Sequence, residues 1–328
     1  MICLIIYPAQ SAAAAAKAVR VCAFSVVPSL FPFFVLAKLL LSGGLSFPFP
    51  DRFAEKCFGV SGPCLSAFFV SLLGGYPAGV AAVSDLYRNG AITKQDAERA
   101  LCFCNNSGPA FFLSLIGATV LGSVKAGLTL YFIHIMSAVL CGRFFAARKS
   151  AGFQMRQIGP SGKPSEKRLP EAISESCAAV LQISGLIVFF SVLIAIAEEI
   201  GVFRLLEMFP RFPVKEAKAL LCGVFELSCG ILRSAESRFA FVLCAFLMGW
   251  GGFCVHLQAK AIWQASGLRP RRYYFSKLLH GLLSAIFALT LASPSALSVS
   301  VSSFVSLLCL FFPTISEKWG RNLAQNTL

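Results

Sequence analysis

Pro63 to Leu121 reads PCLSAFFVSLLGGYPAGVAAVSDLYRNGAITKQDAERALCFCNNSGPAFFLSLIGATVL, and this stretch decides the fold. Two apolar runs, 63–73 and 77–88, are divided by Gly74-Gly75-Tyr76-Pro77. A polar turn at Asn89-Gly90 leads into a helix over 94–104, and Cys104-Asn105-Asn106-Ser107-Gly108-Pro109 divides that helix from a third apolar run, 109–121. Thr93-Lys94-Gln95-Asp96 has the pattern of a helix-start cap, and Arg88, Lys94, Asp96, Glu98 and Arg99 put the turn in water. Tyr76 lies 14.5 residues before the centre of that turn and Asn105 14.5 residues after it. At a rise of about 1.5 Å per residue each break sits roughly 22 Å from the turn, near the middle of a hydrocarbon core about 30 Å thick. Both breaks are therefore expected to meet near the midplane.

Each break starts a helix inside the bilayer. Pro109 suits the first helical position, where its missing N–H costs nothing, and Ser107 and Gly108 suit the cap before it. Gly75, Tyr76 and Pro77 follow the same logic. The freed N–H groups and the positive end of the helix dipole cannot face lipid, so they must be buried in protein or line a wet cavity, where they suit an anionic group. The bland alternative is a pair of kinks satisfied by neighbouring helices.

The rest of the chain agrees with a membrane setting. Of 328 residues 57% are hydrophobic and 13% charged, against about 25% charged in soluble domains, and the mean hydropathy is +0.74. Soluble enzymes, disulfide scaffolds and nucleic-acid binders are excluded on this ground. The net charge of +14 gathers in short loops, where it reads as topology: residues 148–168 carry six Lys/Arg against Glu166 alone, and this loop is expected in the cytoplasm. Thirteen cysteines sit mostly singly in apolar runs, so they read as packing residues, with no metal site and no cofactor. The apolar run Met1 to Pro8 is too short to span and lacks the features of a signal peptide, so an uncleaved chain is expected. Residues 11–42 contain Pro28 and Pro32 and should kink near Ser29. A mixed interfacial connection follows over 43–62.

The expected fold is an all-α polytopic membrane protein with eight or nine membrane segments. Residues 1–147 form a first repeat with its motifs at 74–109, 148–170 a basic loop, 171–292 a second repeat, and 293–328 a last segment (295–313) and tail. Spans are expected at 124–147, at 173–197, and from the basic cluster Arg269, Arg271, Arg272 and Lys277 to about 292. The halves share a plan of broken helix, polar turn, second broken helix and unbroken span, which is the usual build of secondary transporters. Whether the half-length helices are broken spans or re-entrant hairpins stays open. Charge balance across the two basic loops favours a re-entrant 239–267.

In the second half, Glu226 is the carboxylate farthest from a loop, within Phe225-Glu226-Leu227-Ser228, and a carboxylate at that depth is costly and usually functional. It is read as a contributor to the central site opposite Asn105–Pro109. Gly251 and Gly252 form a further break, and His256 and Gln258 follow it within two turns. His256 weighs evenly between ligand and packing partner.

Val27-Pro28-Ser29-Leu30-Phe31-Pro32-Phe33-Phe34, Gly75-Tyr76-Pro77-Ala78-Gly79, Ser84-Asp85-Leu86, Asp96-Ala97-Glu98-Arg99 and Phe103-Cys104-Asn105-Asn106-Ser107-Gly108-Pro109 together carry a resemblance. With Phe225-Glu226-Leu227, Gly251-Gly252 and His256-x-Gln258, the chain from about 10 to 290 resembles the sporulation integral membrane protein YlbJ family. That resemblance implies two gate-type repeats of the nucleoside-recognition kind, similar to the core of concentrative nucleoside transporters. It also implies a role in spore formation, with dipicolinic acid as solute and the outer forespore membrane as location. The expected function is a secondary transporter or facilitator, coupled to a proton or sodium ion if driven. A non-transporting membrane scaffold and a carrier of nucleoside-like solutes are the alternatives. An enzyme is not expected, since the sequence has no HExxH, no facing Asp pair and no nucleotide loop. Oligomeric state is left open.

Overall fold

The structure is a computed structural model that describes residues 2–42, 51–146, 169–204 and 213–292. The basic loop 148–168 and the segment 295–313 lie outside the described residues. Every regular element described is helical: α1 (Ile2–Ile6), α2 (Pro8–Val21), α3 (Val27–Ser42), α4 (Asp51–Phe58), α5 (Gly62–Gly74), α6 (Ala78–Arg88), α7 (Lys94–Ala100), α8 (Pro109–Phe111), α9 (Val124–Phe144), α10 (Leu169–Glu199), α11 (Val214–Phe225), α12 (Leu227–Ser234), α13 (Ala240–Trp250), α14 (Gly252–Ala265) and α15 (Tyr273–Ala292). π-helical turns join α2 to α3 (Cys22–Val26) and extend α8 (Phe112–Val120).

Four stretches are long and apolar enough to cross a membrane: α9, α10, α15, and α13 with α14 as one run of 26 residues. The count rises to six if two bent pairs are each one span. The α2–α3 pair bends by 52°, at the expected prolines, and α4 meets α5 at 74°. Large apolar side chains such as Phe132, Phe189, Phe275 and Ile286 stand exposed on the spans, which suits lipid and not water. The chain is a multi-pass membrane protein. Eight or nine segments are not reached among the described residues, because several helices read as spans are half-length and turn back.

α5 and α6 form one such hairpin. Residues 71 and 79 in a straight helix would be about 12 Å apart, yet a Cβ placed on Gly79 would overlap the Cβ of Ser71 and the carbonyl oxygen of Cys104. Only a chain folded back at Gly75-Tyr76-Pro77 brings them together. α11 and α12 form the second hairpin: a Cβ on Gly230 would overlap Gly223 and sit 2.8 Å from the Ala219 carbonyl oxygen, which requires a reversal at Glu226. Glycine is what permits both close approaches. By contrast α13 and α14 continue as a single run through Gly251, whose φ is +91°, so the re-entrant reading of 239–267 does not hold. Charge counting favoured it because half of what separates the two basic loops is the second hairpin.

Thr93 caps α7, its hydroxyl accepting the Asp96 N–H at 3.1 Å. The connection before α5 is not loop alone but contains the amphipathic α4, which buries Ala54, Cys57 and Phe58. Among the described residues the cysteines are free and most are buried.

Candidate functional site

The breaks converge. A Cβ on Gly75 would lie 3.0 Å from the Gly108 nitrogen, so the first hairpin tip abuts the 101–108 loop. A Cβ on Gly252 would lie 2.9 Å from the Gly223 carbonyl oxygen and 3.2 Å from the Leu227 nitrogen, so the second tip abuts the Gly251–Gly252 break. Tyr76 ties the two halves, its hydroxyl donating to the Met248 carbonyl at the end of α13.

Backbone groups freed at the breaks have protein partners. Tyr131 donates to the Leu72 carbonyl at 2.9 Å, Asn106 to Phe103 at 2.7 Å, Lys277 to Asn105 at 2.7 Å and the Trp250 indole to Val224 at 3.4 Å. The Ser107 N–H donates to His134 Nε2 at 3.2 Å. Glu226 itself fills the N-terminus of α12.

 Its carboxylate oxygens accept the N–H groups of Ser228 at 2.9 Å and Cys229 at 2.6 Å. The N-terminus of α12 is thus occupied by the protein's own carboxylate.

The lining of the interior defines what a solute would meet. Three cavities run in series along α10. The first, about 500 Å³, is lined by Lys38, Pro77, Asp85, Arg88, Glu175 and Gln258 among others. The second, about 50 Å³, lies between the hairpin tips and is lined by Tyr76, Ser107, Glu226, Leu227, Ser228 and Gln258, with Ile183 and Ile187 of α10 opposite. The third, about 380 Å³, is lined by Lys17, Glu198, Glu226, Ser228, Arg233 and Glu236 among others. Neighbouring cavities share wall residues: Gln258 and Ile183 between the first and second, Glu226, Ser228 and Ile187 between the second and third. Glu175 and Glu198 are 23 residues apart on α10, a rise of roughly 35 Å, which is about the thickness of a bilayer core with its margins. The constriction at Ile183–Ile187 falls halfway.

The residues singled out in the sequence divide between this wall and the layer behind it. Tyr76, Ser107, Glu226, Ser228 and Gln258 line the constriction, and Pro77 lines the first cavity. Gly75, Gly108 and Gly252 provide the close backbone approaches, Gly251 takes the left-handed φ of +91° at the end of α13, and Pro109 is the first residue of α8 with Gly108 as its cap. Asn105 and Asn106 are fully buried behind the wall. Asn105 donates to the Tyr273 hydroxyl at 2.6 Å and Asn106 to Ser71 Oγ at 2.8 Å, so both amide nitrogens are engaged within the protein. His256 is also behind the wall, 3.3 Å from the Tyr273 hydroxyl and edge-on to Trp250. Among the described residues no group of His, Cys, Asp and Glu is arranged to hold a metal ion.

Sequence reading missed Lys277, His280 and His134. Lys277 stood fourth in a basic run and read as loop charge, whereas the structure puts it inside α15 at 1% exposure. Its ammonium lies 3.0 Å from His280 Nδ1, and His280 Nε2 lies 3.0 Å from the His134 carbonyl oxygen. The signal was available in the spacing: Lys277 and His280 are three apart, on one helical face.

These features define an all-helical, multi-pass membrane protein with two interior hairpins and a cavity series reaching along its longest helix. Comparison with curated proteins finds the sporulation integral membrane protein YlbJ of Bacillus subtilis (strain 168), 24% identical over 303 residues, covering 82% of this chain and 74% of that protein. The resemblance carried by the motifs therefore extends over most of the chain, which is similar to YlbJ over that length. No family model matches it, and no solved structure matches it.

Proposed function

We propose that this protein is a secondary transporter or facilitator for a small anionic or polar solute, acting in spore formation, with dipicolinic acid as the first candidate. The observation that carries the reading is the cavity series along α10, two wide vestibules separated by a constriction built from two hairpin tips. A constriction of about 50 Å³ holds one or two waters and no organic solute, since a water occupies about 30 Å³ in the liquid. The arrangement is that of an occluded path, which opens to one vestibule or the other when a tip withdraws.

Each half contributes one hairpin, one interrupted helix and one uninterrupted span, with the tip packed on the interruption. We read this as a pair of gate-type repeats. Inverted or parallel repeats of this kind put their solute site at the repeat interface, near mid-depth. The vestibules themselves carry charges of both signs, Lys38 with Glu175 at 2.6 Å in one and Arg233 with Glu198 at 2.8 Å in the other. Preference for an anion would come instead from Lys277 behind Tyr76. The solute passes without chemical change.

The test is uptake of labelled dipicolinate and of a nucleoside by proteoliposomes holding the purified protein. Saturable dipicolinate uptake supports the reading. Uptake of the nucleoside alone favours the nucleoside-like alternative, and no uptake of either solute by correctly inserted protein under any gradient favours a scaffold.

A further inference from the structure

We propose that Lys277 is the coupling-proton site of the transport cycle, an inference that rests on the transport reading above. Lys277 is buried in α15 and, among the described residues, no carboxylate lies within ion-pair distance of it. The titratable groups facing it are His280 and Tyr273 on its own helix, His134 and Cys141 on α9, His256 on α14, and Tyr76 at the first hairpin tip. None of these brings a carboxylate charge. A lysine in such a place holds its proton by local hydrogen bonds alone, and the gain or loss of that proton changes the charge of the whole interior.

The hydrogen bonds fit both protonation states. A carbonyl can only accept, so His280 Nε2 carries the proton that it donates to His134, and its Nδ1 is left to accept from Lys277 at 3.0 Å. The Asn105 carbonyl accepts a second N–H at 2.7 Å. The Tyr76 ring centroid lies 5.6 Å from Nζ, where the ring face suits the third N–H of a cation. An ammonium therefore places all three donors, and a neutral amine keeps the two stronger bonds. The step balances as R–NH2 plus H⁺ giving R–NH3⁺, with the proton taken from water on one side and released on the other.

Position links this proton to the solute path. Asn105 belongs to the break against which the first hairpin tip packs, and Tyr76 is both the cover over Lys277 and a wall of the constriction. A tip that withdraws to open the path uncovers the lysine. A carboxylate in the constriction favours the ammonium, and by linkage the ammonium favours the carboxylate to the same degree. Anion and proton then move together.

The experiment uses proteoliposomes with a pH indicator trapped inside, labelled dipicolinate outside, a one-unit pH gradient and the membrane potential clamped at zero. Wild type is expected to move protons with dipicolinate and to accumulate it about tenfold, the ratio that one coupled proton supports per pH unit. Lys277→Gln cannot be protonated and Lys277→Arg cannot give its proton up, so in both the ratio of uptake with the gradient to uptake without it should fall to one. Dipicolinate uptake by wild type with no proton signal and no gradient dependence overturns the proposal, and does so without any variant. Gradient-driven accumulation by either variant overturns it as well. Absence of dipicolinate uptake by wild type brings down the transport reading, and this inference with it.

Discussion

Glu226 and Asn106 are placed so that their removal separates a structural role from a solute-binding one. Both Glu226 oxygens accept backbone N–H groups at the start of α12, and the residue is 2% exposed. Glu226→Gln keeps one acceptor and turns an NH2 toward the other N–H, leaving a buried donor unpaired at a cost of about 1–3 kcal/mol. Glu226→Ala loses both acceptors. We expect thermal stability in detergent to fall in the order wild type, Gln, Ala, with the gradient dependence of uptake retained in Glu226→Gln. A Gln variant of native stability that has lost its gradient dependence would give the coupling role to Glu226 instead of Lys277. Asn106→Ala strips Ser71 Oγ and the Phe103 carbonyl of their donor, so it should lower stability by about 1–3 kcal/mol with transport per inserted molecule preserved. Unchanged stability with lost transport would put the amide back in the solute site. The sequence showed that these residues are buried and costly. It could not show which partner each takes, because a carboxylate suits its own helix start as well as it suits a ligand.

Two helices that share a break look alike in sequence whether they continue or reverse. Gly74-Gly75-Tyr76-Pro77 and Gly249-Trp250-Gly251-Gly252 both interrupt apolar runs, yet the first ends in a hairpin and the second lets α13 run on into α14. The difference lies in glycines set back from the break. Gly79 permits α6 to fold onto Ser71 and the Cys104 carbonyl, and Gly230 permits α12 to fold onto Gly223, contacts between arms that no local periodicity encodes. The equal depth of Tyr76 and Asn105 was legible, since it needed only a count of residues from one polar turn, and the Gly75–Gly108 contact brings those breaks together. Gly79→Ala tests the hairpin directly. Its methyl would overlap backbone that cannot yield, so we expect a loss of about 1–3 kcal/mol from overpacking, read as a lower melting temperature and reduced yield of inserted protein. Gly185→Ala is the control, because a Cβ there meets nothing within 4 Å. Equal behaviour of the two variants would argue against the folded-back packing of α5 on α6.

At the scale of the whole molecule, α10 runs past both vestibules and the constriction, so it reports which side each vestibule opens to. Ala178 lines the first vestibule and Ala195 the third cavity, 17 residues further along the helix, a rise of about 25 Å. The basic loop 148–168 precedes α10 directly, and its six-to-one excess of Lys/Arg over acid predicts a cytoplasmic position by the positive-inside rule. On that prediction the Glu175 end of α10 is expected on the cytoplasmic side and the Glu198 end in the opposite compartment. In a background with Cys177 and the other reactive thiols replaced, Ala178→Cys should react with a membrane-impermeant thiol reagent from the cytoplasmic side only. Ala195→Cys should react from the other side only, and Ser161→Cys in the basic loop should follow Ala178→Cys. A cysteine at Val255, which lines the constriction and neither vestibule, should resist the reagent from both sides until solute is added, since that wall is shielded until a tip moves. Labelling of Ala178→Cys and Ala195→Cys from one side would mean that the two vestibules belong to one crevice. The path through the molecule would then be lost, and with it the physical basis for transport.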